Sequence, residues 1–333
     1  MRVWWLLLCI AGCSPYDYAK QVTDFSSGVD RVSASFNAAS AQLATDRATE
    51  VQLELIDARA KVSTTGTCDE EISKTNLGSD APCELYRTGG EPSQPSQTEQ
   101  DLKKYKGTMT ALVDYSHALA AVTNAADRSA YDAAVAKLAT ALQGIASVPG
   151  VQGVVAGKVV AAAVNLVGWV VGTALDEQRF ESLKVAVNMV GTKPPDGDSP
   201  MKIITDAIGK GLAAARRDRL DILNNELEAD RKQLGPSLTD SAYRGRLDEA
   251  EALIADIQTL RETDPKGTTD ALNAAHEALV KAVDDPSANL PALVKALTAF
   301  SEKAEALQTA FAAPAKPKAA AATPKATSAK KGT

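Results

Sequence analysis

Residues 22–43 read VTDFSSGVDRVSASFNAASAQL. Their apolar side chains fall at Val22, Phe25, Val29, Val32, Phe36, Ala39 and Leu43, in steps of three and four. That heptad spacing lays one apolar stripe along one face of a helix. The pattern carries on through Val51, Leu55, Ala58 and Val62, and no proline lies between Tyr16 and Thr65. The spacing predicts one helix of about 45 residues, about 65–70 Å long at the usual rise per residue. A helix of that length belongs to an elongated bundle or a coiled coil.

The rest of the chain repeats the pattern. Residues 64–98 read as loop, with Cys68, Cys83, Gly89-Gly90 and EPSQPSQ. A second long helix is expected from about Glu99 to Ser147, on the seam Tyr105, Met109, Leu112, Leu119, Val122, Tyr131, Val135, Leu138, Leu142 and Ile145. Asp127-Arg128-Ser129 is the place for a kink or a division. The two long segments suit an antiparallel hairpin. After 191–200 (GTKPPDGDSP), helical spacing returns at Ile204, Ile208, Leu220, Leu223, Leu227 and Leu234, and Gly235-Pro236 stops it. Tyr243, Leu247, Ala250, Ile254, Ile257 and Leu260 form the next seam. Leu272, Ala275, Leu279 and Val283 follow, then Leu290, Leu293, Leu297, Phe300, Ala304, Leu307 and Phe311. No stretch alternates with period two for long enough to predict a strand. The expected class is all-α, an elongated bundle of coiled-coil-like helices over 13–311 with a possible subdivision near 191–200. The Ala/Pro/Lys-rich 312–333 reads as a disordered tail.

Composition agrees. Aromatic residues make up only 5% of the 333, which argues against a sandwich or barrel built from β-branched and aromatic side chains. Hydrophobic residues make up 45%, enough to bury a core.

The chain begins MRVWWLLLCIAGC. One basic residue, Arg2, precedes an apolar run from Val3 to Ile10, the layout of a signal peptide over 1–12. Ile10-Ala11-Gly12-Cys13 resembles the lipobox of bacterial lipoproteins: a branched apolar residue, two small ones, then cysteine. The resemblance implies cleavage before Cys13, a diacylglycerol on its sulfur and an acyl chain such as palmitate on its new amino group. Several buried acyl chains make a stable anchor. Ser14 stands where an aspartate would favour inner-membrane retention in enteric bacteria. The resemblance therefore implies the outer membrane, with the body facing the periplasm.

The net charge is −6, yet Arg2 and the tail lysines 316, 318, 325, 330 and 331 supply six positive charges. The body between them is therefore at about −12. That argues against nucleic acid as a partner, because a duplex binder needs a basic footprint. It leaves the membrane, through the N-terminal lipid, and a protein of the cell envelope. With Cys9 removed and Cys13 acylated, Cys68 and Cys83 remain. Outside the cytoplasm this close pair predicts a disulfide, closing a loop of about 15 residues that contributes about 3 kcal/mol.

Residues 148–175 read VPGVQGVVAGKVVAAAVNLVGWVVGTAL. Gly153/Gly157 and Gly168/Gly172 form GxxxG pairs, which allow close helix approach. Trp169 is the one tryptophan left once Trp4 and Trp5 depart with the signal peptide. Three readings stand: a helix buried in the bundle, a segment that inserts into a bilayer, and a constitutive spanning helix. The second is similar in layout to helical pore-forming toxins of the cytolysin A type.

Chemistry has few carriers. His117 and His276 are the only histidines, and both are expected at helix surfaces or boundaries. His276-Glu277 opens like a zinc-protease motif, but Val280 stands where its second histidine belongs. Gln152 and Val159 break a faint phosphate-loop pattern. Asp196 to Ser199 reads as a turn and not a calcium loop. Arg216, Arg217 and Arg219, with Asp218, Asp221 and Glu226 nearby, read as a solvated salt-bridge face. No catalytic, metal or cofactor residue is assigned. The sequence thus favours a non-enzymatic lipid-anchored scaffold or binding module, ahead of a membrane-active helical protein and of an unrecognised periplasmic enzyme.

Overall fold

A computed structural model of the chain describes residues 18–59, 61–64, 85–91, 93–151, 175–195 and 197–312. The fold is all-α. Its helices are α1 (Ala19–Ala58), α2 (Gln97–Thr123), α3 (Arg128–Ser147), α4 (Leu175–Gly191), α5 (Pro200–Gln233), α6 (Asp240–Glu262), α7 (Pro265–Asp284) and α8 (Pro286–Phe311). One antiparallel ribbon interrupts them, β1 (Val62–Thr64) with β2 (Leu85–Arg87). The sequence reading missed it because three-residue strands are too short to leave a period-two signal. It also shortens the first helix. Arg59, at φ 44°, turns the chain out of α1, so Val62 enters β1 and not the helix.

Local chemistry sets the helix starts. Ser96 and Glu99 form a reciprocal capping box on α2, with Glu99 N–H donating to Ser96 Oγ at 3.1 Å and Ser96 N–H to Glu99 Oε2 at 2.8 Å. Asp127 caps α3, which divides the second long helical stretch there. Three later helices share a cap followed by proline: Ser199-Pro200, Asp264-Pro265 and Asp285-Pro286. Proline in the first turn forfeits no helix hydrogen bond, and the cap supplies an acceptor to the free N–H groups. Asp285 alone connects α7 to α8, so these two helices must pack side by side.

Helix α1 is the axis. Helix α2 runs antiparallel to it. Asn124 Nδ2 donates to Thr23 Oγ1 at 3.2 Å, His117 Nε2 lies 2.7 Å from Asp30 Oδ1, and Arg47 Nε bonds Glu99 at 3.2 Å. Helix α8 runs parallel on the other side, where Arg31 donates to Ser301 Oγ at 2.9 Å and Gln42 to the Phe311 carbonyl at 2.9 Å. The seam of α1 is buried throughout from Val22 to Leu43. Phe25 and Phe36, with Phe300 and Phe311 of α8 and Tyr115 of α2, fill the middle. Each such side chain contributes roughly 1.5–3 kcal/mol of burial. Gly28 lets α8 approach: a Cβ there would lie 2.3 Å from Phe300 Cε1. The core continues without a break into α5, α6 and α7.

The molecule narrows along α1. Among its described side chains, Leu43 is the last apolar one fully buried, about 40 Å along the helix from Tyr18. Near that level Arg219 of α5 pairs with Asp46. Helices α5 and α6 pair as an antiparallel hairpin, held by Arg216 just inside that level and by Arg246 to Asp230 at 3.0 Å beyond it. We refer to this hairpin as the arm.

Candidate functional site

Several sequence expectations fall outside the described residues: lipidation of Cys13, the Cys68–Cys83 disulfide, Gly153, Gly157, Gly168, Trp169 and Gly172 of the apolar segment, and the tail after Ala312. Their flanks are described. Tyr18, five residues beyond Cys13, is buried and donates its hydroxyl to the Ala282 carbonyl at 2.7 Å. The ribbon pairs Thr64 with Leu85, which brings together the two ends of the stretch that carries both cysteines. Val151 is fully buried and Leu175 opens α4 against the core. Among the described residues no helix is long and apolar enough to cross a membrane.

His276 is not a surface residue. It is fully buried, with Nε2 2.8 Å from the Tyr115 hydroxyl and the Phe25 ring at 5.8 Å. Gly191 closes over the ring, since a Cβ there would sit 2.9 Å from Nδ1. Position 276 directly follows Ala275 of the seam, and a core-facing helix buries a stripe wider than two positions per heptad. Burial pushes the imidazole pKa down to about 3 and the Tyr115 hydroxyl well above its usual value. Among the described residues Nδ1 has no hydrogen-bond partner. The pair is a polar contact inside the core, out of reach of a substrate. No group of three or more potential metal ligands gathers among the described residues.

The arginine cluster also departs from expectation. Arg216 is a structural clamp, donating to the carbonyls of Leu260 at 2.6 Å and Arg261 at 2.7 Å where α6 ends. The Leu260 carbonyl also accepts from Thr263 N–H at 3.3 Å, and a cation beside the last carbonyls of a helix suits its dipole. Arg219 is largely buried against Asp46. Burial raises the Asp46 pKa, against the pull of Arg219. A cleft of about 420 Å³ lies beside Tyr18, Asn124 and Phe180. The cation at its wall, Arg179, is committed to Asp176 at 2.6 Å and to the Ala125 carbonyl.

The feature that stands out is the outer face of α6. Its seam was expected to be buried from Tyr243 to Leu260. Instead Ala250, Leu253, Ile257 and Leu260 are buried, while Tyr243, Leu247 and Ile254 are exposed at 42%, 41% and 43%. At 100° per residue the exposed stripe is centred about 80° from the buried one. The helix therefore carries two overlapping apolar faces. One packs against α5 and the bundle, and the other points to solvent along the arm. Periodicity alone could not separate them, because both fit steps of three and four. Beside the exposed stripe stand Arg244 and Glu251, both exposed and neither with an ion-pair or hydrogen-bond partner among the described residues. Leu290 and Val294 at the start of α8 are exposed as well, at 39% and 47%, so the last seam is covered only from Leu293 onward.

No family model, curated protein or solved structure matches this chain.

Proposed function

We propose that the protein is a non-enzymatic, lipid-anchored component of a bacterial cell envelope, a helical scaffold that presents a docking face on its arm. The observation that carries this reading is the solvent-facing stripe Tyr243, Leu247 and Ile254. Three large apolar side chains aligned on one helix, with unpaired charges at their edge, suit a protein–protein contact. The lipobox-like start supports the anchor. Tyr18 is five residues past Cys13, so an acyl chain there would tether the broad end of the bundle within about 17 Å of a lipid surface. The arm would then project away from that surface, beyond the Asp46 level. The periplasmic face of an outer membrane is the location this implies.

The test is site-specific photo-crosslinking in cells that express the full chain. A crosslinker at position 247 should capture a defined protein, and one at the exposed Arg217 should not. Equal, diffuse capture from both positions, or a specific turnover activity of the purified chain, would overturn the reading.

A further inference from the structure

We propose that the α6 outer face docks a second copy of this chain, the two α6 helices lying antiparallel about a two-fold axis near Leu247. The inference names the partner of the docking face described above and rests on that reading of it. It does not depend on the lipid.

Charge order along the stripe selects the occupant. Arg244 and Glu251 lie on the same flank, seven residues apart, one on either side of Leu247. In an antiparallel pair related by a two-fold, a flank of one helix meets the same flank of the other. Arg244 of each copy then faces Glu251 of the other, twice, and Tyr243 of each lies against Ile254 of the other. Leu247 packs near its own symmetry mate. A parallel two-fold pair would set this flank of one helix against the opposite flank of the other, so Arg244 and Glu251 would not meet and this charge complementarity would be lost. Asp248 lies about 120° round the helix from the stripe centre and stays outside the contact. A self-complementary patch of this kind is what a two-fold interface requires. Neither charge has a competing partner among the described residues.

The pairing has a directional consequence. Helix α5 runs parallel to α1, since Gly209 packs at Thr269 of α7, beside Thr268, which bonds the Lys303 carbonyl near the Arg31 level, whereas Arg219 reaches Asp46, and α6 runs back along α5. An antiparallel α6 pair therefore points the two Tyr18 ends in opposite directions, roughly 100 Å apart. With lipid on Cys13, one dimer would bridge two facing lipid surfaces.

The experiment places single cysteines in the full-length chain and treats it with a short bis-maleimide, with the unsubstituted chain as background. Leu247→Cys alone should give a crosslinked dimer. Tyr243→Cys alone and Ile254→Cys alone should not, because each lies about 16 Å along the axis from its own mate. A mixture of the Tyr243→Cys and Ile254→Cys chains should crosslink. Arg244→Glu should weaken dimerisation about tenfold at low salt, and Arg244→Glu with Glu251→Arg should restore it. These residues are exposed, so helical circular dichroism should stay unchanged. Absence of a Leu247→Cys dimer, equal crosslinking of all three single variants, or indifference to Arg244→Glu overturns the proposal. Preferential capture of a different protein at position 247 also overturns it, while leaving the docking face intact. Vesicle clustering by the membrane-extracted chain separates the two readings: dimers that fail to cluster vesicles count against the lipid and not against the pairing.

Discussion

Acidification should weaken this fold through one buried imidazole. His276 titrates at about 3 in the folded chain and at 6.5 when exposed. Burial is the cause. Tyr115, Phe25 and Gly191 lie against the ring, and among the described residues no carboxylate holds the charged form. A lowered folded pKa means that the unfolded chain binds more protons between about pH 3 and 6.5. Stability from this group is therefore fully present above 6.5 and lost as pH falls through that window. At about 1.4 kcal/mol per pH unit, moving from about pH 7.5 to about pH 5 removes about 2 kcal/mol. With a urea slope of about 3 kcal/mol/M, the midpoint falls by about 0.7 M. His276→Gln keeps an amide for the Tyr115 hydroxyl and cannot titrate. The assay is urea unfolding followed by helical circular dichroism at both pH values, for the unsubstituted chain and the variant. The difference between the two pH responses isolates His276 from the carboxylates and from His117. If His276→Gln lost as much as the unsubstituted chain, the buried neutral imidazole would not be the source.

Other consequences follow from the packing. Gly28→Ala should cost about 1–2 kcal/mol despite alanine's better helix propensity, because its Cβ meets Phe300. Phe300→Leu in the same chain should recover part of that loss, as thermal melts would show. Arg219→Met should destabilise the chain by about 2–3 kcal/mol, leaving the Asp46 carboxylate buried without its cation. Asp46→Asn should cost at least as much, because it leaves the largely buried Arg219 guanidinium, which cannot lose its proton, without its anion. Urea titrations in which either variant is as stable as the unsubstituted chain would contradict the burial argument. Cys68→Ser or Cys83→Ser should lower stability by about 3 kcal/mol under oxidising conditions and by almost nothing in reductant. Equal stability with and without reductant in the unsubstituted chain would remove the disulfide from the account.

The seams of α1, α2, α3 and α7 were legible because each faces one continuous core, so period and burial coincide. The Asp127 division and the stop at Gly235-Pro236 were legible from their local chemistry. The ribbon was not, since Val62–Thr64 and Leu85–Arg87 hold each other only through backbone pairing and carry no repeating pattern. His276 was misplaced because a single polar residue looks the same at the edge of a stripe whether a helix covers it or not. Here Gly191 allows α4 to close over it. Arg216 and Arg219 were misread for a related reason: their partners, the α6 carbonyls and Asp46, are remote in sequence. The candidate site was half visible. The apolar spacing of Tyr243, Leu247 and Ile254 was plain, but spacing reports a face and not whether another helix covers it. The arm extends past the body of the bundle, and that depends on how far α1, α5 and α6 run beyond Leu43.

The central claim is an anchored bundle that carries its docking face outward, and its anchor is open to a direct measurement. The full chain, expressed in a bacterium with its own first residues and extracted from the membrane fraction, would be examined by mass spectrometry of its N-terminal peptide. The account predicts a peptide that begins at Cys13, with a diacylglyceryl thioether on sulfur and an acyl group on the amino terminus. A peptide that begins at Met1, or one that begins at Cys13 with a free thiol, would contradict it.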